Sequence, residues 1–346
     1  MGVPGAKPLD RQGSALHPPK GSPFGNPLPP DLRVWILSDG KAGDENQCRG
    51  VAEALGLRAE VRRVPASGPF TWLAPWGPAD PRLRRRGGAL NGALPDLAIA
   101  SGRRAVPALR ACRRLGVPFT AYLKDPRTGA GIADFLWVPE YDRLRGPNVL
   151  TTLTSPHCVS APRLAAARSE PDPRLASLGG RRVAVLLGGD SRHLRFTEAE
   201  GTRLVGDLRR LAAAGGRLMI TASRRTPEGL RTAARSLARE TDGFFWDGDG
   251  ENPYLALLAL AEAIVVTSDS INMVSEAVAT GAPVLLFELP GTPPRHARMY
   301  AALKEAGALA AFDGRFIDLR YTPIDATPVI ARALADAYIA GHPGRA

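Results

Sequence analysis

The stretch Ala263-Ile264-Val265-Val266-Thr267-Ser268-Asp269-Ser270-Ile271-Asn272-Met273-Val274-Ser275-Glu276-Ala277-Val278 decides the fold. Its first four residues are apolar and mostly β-branched, the mark of a strand buried on both faces in a parallel sheet. Thr267 to Ser270 supply small capping side chains. Ile271, Val274 and Val278 then recur at helical spacing until Gly281 and Pro283 end the helix. Strand, short turn and helix make half of a βαβ unit. The turn stands at the carboxyl edge of the sheet, where open α/β sheets bind ligands and a helix N-terminus offers unpaired N–H groups to phosphate. Ser270 is the expected cap. Asn272, Ser275 and Glu276 form a polar stripe, and Glu276 is placed to accept from ribose hydroxyls. A capped, half-exposed helix with no ligand fits the same pattern.

The same rhythm extends in both directions. Upstream, strands are expected at 183–187, 217–221 and 243–246, with helices near 197–213, 227–239 and 253–261; downstream come a strand at 284–287 and a helix at 296–306. Nearer the N-terminus, Val34-Trp35-Ile36-Leu37 opens a second series, with strands at 59–64, 96–100, 119–123 and 135–138 and helices at 44–55 and 103–115. The expected fold is α/β, two Rossmann-like doubly wound domains facing a cleft. Residues 1–30, rich in Pro and Gly, read as a disordered tail. Residues 31–162 form the first domain, 163–180 the connection, 181–323 the second domain, and 324–346 a last helix and tail that can pack on either domain.

Post-strand loops carry the remaining candidates. Gly188 and Gly189 allow close backbone approach to a ligand, with Arg192 and His193 beyond them at the cleft, although paired glycines also make ordinary turns. Arg224 and Arg225 are suited to neutralising a departing diphosphate, or form a solvated surface pair. Asp247-Gly248-Asp249 has the Asp-x-Asp form that holds a metal in some sugar transferases, but Asp-Gly repeats are common turn chemistry, and no metal is expected. Ser38-Asp39-Gly40-Lys41-Ala42-Gly43 lacks Walker spacing, which excludes a P-loop ATPase. Asp39 there is a candidate general base for an acceptor hydroxyl, and His193 is the other. Arg103, Arg104, Lys124 and Arg127 are candidates for holding an anionic acceptor.

Composition narrows the setting. The net charge of +11 comes from 40 arginines and 5 lysines against 34 acids, and it is lopsided: residues 1–180 carry 25 basic against 15 acidic groups, residues 181–346 carry 20 against 19. The first half is therefore expected to meet an anionic substrate or membrane surface, unless these arginines are simply solvated. Nucleic acid is not expected, since no recognition module or clustered stacking aromatics accompany the charge. Three widely spaced cysteines suggest neither disulfide nor zinc, and no apolar run is long enough to span a membrane. The expected location is cytoplasmic, with a peripheral position at the inner face of the membrane. Trp72 and Trp76, followed by Arg84, Arg85 and Arg86, suit such a contact; packing of both tryptophans onto their own domain is the alternative.

Taken together, these blocks resemble the elongated-mitochondria family, named for a plant mitochondrial fission factor and rich in bacterial members. The resemblance rests on residues 38–47, Lys124-Asp125-Pro126-Arg127, Val138-Pro139-Glu140-Tyr141-Asp142, Gly146-Pro147-Asn148-Val149, Gly188-Gly189-Asp190-Ser191, residues 221–226, Gly250-Glu251-Asn252-Pro253-Tyr254 and residues 268–277, over about residues 33–320. That family is similar to GT-B glycosyltransferases acting on lipid-linked peptidoglycan precursors and lipid A disaccharide. The resemblance implies a nucleoside-diphosphate sugar as co-substrate, no separate cofactor or catalytic metal, and an acceptor in the N-terminal domain. The implied donor site is Gly188, Gly189, Arg224, Arg225, Ser270, Asn272, Ser275 and Glu276. The expected activity is glycosyl transfer to a cell-envelope acceptor, lipid-linked or not. The competing expectation is a non-catalytic adaptor that recruits a membrane-remodelling partner.

Overall fold

The computed structural model describes residues 28–65, 68–191 and 194–342. Its first half runs β1 (Val34–Ser38), α1 (Ala42–Ala54), β2 (Ala59–Arg63), α2 (Pro69–Leu73), β3 (Leu97–Ser101), α3 (Val106–Arg114), β4 (Phe119–Leu123), β5 (Phe135–Pro139) and β6 (Val149–Thr152). The second half continues α4 (Ala161–Ser169), α5 (Pro173–Ala176), β7 (Arg181–Leu187), α6 (Glu198–Ala213), β8 (Gly216–Ala222), α7 (Glu228–Glu240) and β9 (Phe244–Trp246). Then follow α8 (Tyr254–Leu260), β10 (Ala263–Thr267), α9 (Ile271–Val278), β11 (Val284–Phe287), α10 (Pro294–Glu305), β12 (Leu309–Ala311) and α11 (Thr327–Gly341).

Two six-stranded sheets result, ordered β2-β1-β3-β4-β5-β6 and β12-β11-β10-β7-β8-β9, with parallel pairing throughout. Strands that must be covered on both faces are apolar along their length, and β1, β3, β4, β5 and β10 are buried at every position. In the first sheet the connection reverses direction between β1 and β3, and in the second between β7 and β10. Ligand crevices form at such reversals, beyond the carboxyl ends of the strands.

The chain crosses between the sheets twice. Val159, Leu164 and Leu175 already belong to the core of the second sheet. The first crossing therefore precedes α4, and the 163–180 segment read as a connection holds two helices packed on that sheet. Its alanine-rich sequence buries only Leu164 in α4, too little for an amphipathic pattern to register. The chain then returns, because α11 lays Ile330, Leu334 and Tyr338 into the core of the first sheet beside Val51 and Leu55 of α1. Of the expected disordered tail, residues 1–27 lie outside the described residues, whereas Leu28 is buried in that same core. Helix α6 shows how locally these boundaries are specified: the Thr197 hydroxyl accepts from the Glu200 N–H while the Glu200 carboxylate accepts from the Thr197 N–H.

Candidate active site

Each polar residue of the 267–270 turn has a separate task. The Thr267 hydroxyl accepts the Gly188 N–H at 2.9 Å and donates to the Asp269 carboxylate at 2.7 Å. Ser268 is fully buried; its hydroxyl accepts from the Leu289 N–H and bonds to the Thr292 hydroxyl, while its carbonyl accepts from Tyr300. Asp269 accepts from the Gly189 N–H at 2.9 Å and from the Arg225 guanidinium at 3.1 Å. Ser270 caps α9, its side chain accepting from the Met273 N–H.

This arrangement closes the crevice at the β7/β10 reversal from within. A Cβ on Gly188 would lie 1.9 Å from Asp269 Oδ1, and one on Gly189 would lie 2.1 Å from the Arg225 backbone. The two glycines thus admit the chain's own Asp269 and Arg225. Arg225 is further committed to the carbonyls of Gly189 and Asp190. Arg224 is exposed, with no ion pair among the described residues.

The polar stripe of α9 faces the other half of the molecule. Gln47 of α1 donates to Asn272 at 3.1 Å, and its amide oxygen lies 3.4 Å from the Ser101 hydroxyl, which donates to the Leu123 carbonyl. Ser275 is buried, accepting from the Ser155 N–H at 3.0 Å and donating to the Ile271 carbonyl. Glu276 accepts from the Tyr254 hydroxyl at 2.5 Å, and its burial pushes its pKa up to about 7. All three stripe residues are engaged within the chain. The spacing that brings α1 so close was readable, although sequence reasoning missed it: Gly43, Gln47 and Gly50 fall at i, i+4 and i+7 on one face. A Cβ on Gly43 would meet Asn272 at 2.8 Å, and one on Gly50 the His157 carbonyl at 2.2 Å.

Between the two sheets lies a cavity of about 200 Å³, lined from the first half by Gln47, Lys124, Trp137, Pro139, Tyr141, Asp142 and Ser155. The second half contributes Asp269, Ser270, Ile271, Asn272, Arg295 and His296. The N-terminal turns of α9 and α10 both open onto it, and their leading loops are tied by the bond between Ser268 and Thr292. Two helix N-termini and the Arg295 guanidinium give this wall a positive character, the Asp269 carboxylate on it being paired with Arg225. Opposite it, Ser155 is 2% exposed, and its hydroxyl and that of neighbouring Tyr141 face each other with no other hydrogen-bond partner among the described residues. Buried hydroxyls are ordinarily satisfied, and a pair that has only each other keeps hydrogen-bonding capacity for a polar guest.

Of the expected site residues, Ser270 and Asn272 line this cavity and Lys124 reaches it while paired with Asp44 at 2.9 Å. Asp39 is not among the lining residues; it faces Asp44 across Gly102, and a Cβ on Gly102 would meet the two carboxylates at 3.2 and 2.8 Å. His193 lies outside the described residues. Tyr141, Asp142, Ser155, Asp269, Arg295 and His296 were missed as site residues. Tyr141, Asp142 and Arg295 follow β5 and β11, and the post-strand rule that singled out other loops would have found them. The Asp142 pKa is raised above its ordinary value by burial, opposed by Arg295. No His, Cys, Asp and Glu cluster able to hold a metal occurs among the described residues, the Asp247–Asp249 loop included.

Comparison with known proteins assigns the chain. The model of the family described as Mitochondrial fission ELM1 matches residues 42–338. The chain belongs to that family. A member from Arabidopsis thaliana, Mitochondrial fission protein ELM1, is 27% identical over 263 residues, 67% of this chain and 61% of its own length. An uncharacterized protein of Rickettsia prowazekii is 30% identical over 112 residues, 31% of this chain and 32% of its own length. The chain thus matches less than two thirds of either relative. Among solved structures, the UDP-GlcNAc 2-epimerase of Neisseria meningitidis bound to UDP-GlcNAc superposes with a TM-score of 0.50 at 13% identity, over 82% of this chain and 88% of that one. The ELM1-family chain therefore has the α/β architecture of the GT-B group, two Rossmann-like halves about a cleft.

Proposed function

We propose that the protein is a glycosyltransferase that takes a nucleoside-diphosphate sugar in the interdomain cleft and transfers the sugar to a cell-envelope acceptor, lipid-linked in its simplest form. The observation that carries this reading is the convergence of the α9 and α10 N-termini with Arg295 on one cavity between the sheets. Such a wall suits a diphosphate, whose negative charge grows as the sugar departs. Ser270 and Asn272 border the phosphates, and the facing hydroxyls of Ser155 and Tyr141 supply polar contacts for the sugar. A volume of about 200 Å³ is smaller than the roughly 300–1,000 Å³ of complete ligand pockets. The cavity thus suits the diphosphate and part of the sugar, with the nucleoside lying along the cleft mouth toward Arg224. The Neisseria relative was solved with UDP-GlcNAc, which makes uridine nucleotides the first probes.

A general base must reach the acceptor hydroxyl. Two carboxylates line the cavity, and Asp269 is held by Gly189, Thr267 and Arg225. Asp142 is the better placed of the two, and Asp39 is not among the lining residues. Its raised pKa makes it a stronger proton acceptor than an ordinary carboxylate. In an assay of nucleoside-diphosphate release from a nucleotide sugar in the presence of envelope lipid, Asp142→Asn is expected to retain donor binding and lose release by at least about a hundredfold. Unchanged release by this variant would remove Asp142 from the chemistry.

One observation favours the second reading, a non-catalytic adaptor that recruits a membrane-remodelling partner. The crevice at the β7/β10 reversal, where ligands of this architecture are expected, is filled by the chain's own Asp269. An adaptor needs the fold and not the crevice. It predicts that partner capture survives Arg295→Ala and Asp142→Asn while no nucleotide sugar binds.

A further inference from the structure

The segment following β2 presents its apolar side chains outward. Trp72 is 84% exposed, Leu73 50% and Trp76 65%, and apart from Val329 they are the only exposed large hydrophobic residues among those described. Tryptophans packed onto their own domain, the alternative open at the sequence level, are not what the structure contains. Nor is the segment loose. Phe70 turns inward beside Val64, Pro65 and Leu83, the Gly77 N–H donates to the Leu73 carbonyl, and Arg110 donates to the carbonyls of Pro75 and Trp76 at 2.9 and 3.2 Å. The tip is a braced protrusion.

Its surroundings are strongly basic. Residues 61–118 contain eleven arginines and two carboxylates, Asp80 and Asp96. Asp80 is bound to Arg82 and Asp96 to the Arg33 N–H. Arg84, Arg85, Arg86, Arg103 and Arg104 are all exposed, with no carboxylate partner among the described residues. Arg103 donates to the Thr71 carbonyl at 3.5 Å, which ties this charge to the tryptophan tip.

We propose that this tip docks the protein on a bilayer containing anionic lipid, Trp72, Leu73 and Trp76 entering the interfacial zone and the arginines meeting headgroup phosphates. Amphipathic indoles partition to that zone, and unpaired cations around them select a negative surface. Three projecting side chains are too small a patch for a stable protein interface, which needs roughly 800 Å² per partner. Because the segment leaves the carboxyl end of β2 and touches Arg103 just beyond β3, the docked surface would adjoin the edge that bears the cleft. The inference stands on exposure and charge alone and is independent of what the cleft binds.

The test is co-sedimentation of the full chain with vesicles of phosphatidylcholine alone or mixed with phosphatidylglycerol, read also by tryptophan fluorescence in a Trp246→Phe background, since Trp35 and Trp137 are buried and Trp246 is half-buried. The expected result is binding to the anionic vesicles with a blue-shifted emission, weakened about tenfold or more by Trp72→Ala with Trp76→Ala and by about 0.5 M salt. Arg84→Glu with Arg85→Glu and Arg86→Glu should abolish the anionic preference, with the melting temperature of each variant unchanged. Absence of binding to either vesicle overturns the proposal, as does binding that survives the tryptophan substitutions. Arg295→Ala should leave vesicle binding intact, which separates failure here from failure of the cleft reading.

Discussion

Glu276 and Asp269 are carboxylates seven residues apart in sequence whose surroundings give them different consequences. The Glu276 pKa rises from 4.5 to about 7, so the folded state holds a proton that the unfolded chain has released. Its contribution to stability is fully present below about 4.5 and is lost as pH climbs through 7. Glu276→Gln keeps a partner for Tyr254 without that loss, so it should melt above the parent protein at pH near 8 and with it at pH near 4. Buried His157 has a lowered pKa and the opposite slope, its stability fading as pH falls below 6.5; the difference between parent and variant isolates Glu276. Equal melting temperatures across the range would show that Glu276 is not desolvated. Asp269→Ala removes the partner of the Gly189 N–H and part of that of Arg225, at a cost of about 1–3 kcal/mol. It also empties a site shaped for an anion. Sulfate or phosphate should therefore raise the melting temperature of this variant more than that of the parent, and an equal response would mean that Asp269 does not stand where an anion fits.

At the scale of elements, α1 carries the contact between the halves. Its Gly50 touches the first interdomain crossing at His157, whose N–H donates to the Thr327 hydroxyl at the start of α11. Gly50→Ala forces a methyl into a carbonyl at 2.2 Å, and overpacking of this kind costs about 1–3 kcal/mol. The melting temperature should fall, whereas Gly131→Ala, with open space around the added Cβ, should leave it unchanged. The long buried strands and capped helices were legible in the sequence because periodicity and caps are local. Edge strands β6 and β12 were not, since both are short and partly exposed. The α9 stripe was legible as polar and the Gly43-Gln47-Gly50 face of α1 as a close-packing one, but that α9 meets Gln47 and Ser155 was not, since they lie 225 and 120 residues from their partners. Likewise the crowding at Gly188 and Gly189 was not legible, because Asp269 lies 80 residues and Arg225 36 residues downstream of Gly189.

At the scale of the molecule, the two halves meet over a cavity that Gln47 with Asn272 and Ser155 with Ser275 hold closed. A nucleotide sugar larger than that cavity requires these contacts to part on entry and to re-form around the diphosphate, the usual logic of closure around a substrate. The basic first half and its tryptophan tip then bring a membrane surface to the same edge. The central claim is that the positive wall formed by α9, α10 and Arg295 holds the phosphates of a nucleotide sugar. It is tested most directly by a thermal-shift panel of UDP-, dTDP-, GDP- and ADP-sugars on the full chain, followed by calorimetric titration of the best ligand into the parent protein, Arg295→Ala and Ser155→Ala. The account predicts that at least one nucleotide sugar stabilises the parent and that Arg295→Ala weakens its binding about tenfold or more, as loss of a charge-assisted phosphate contact does. A panel without any stabilising member, or a ligand bound equally well by both variants, would contradict it.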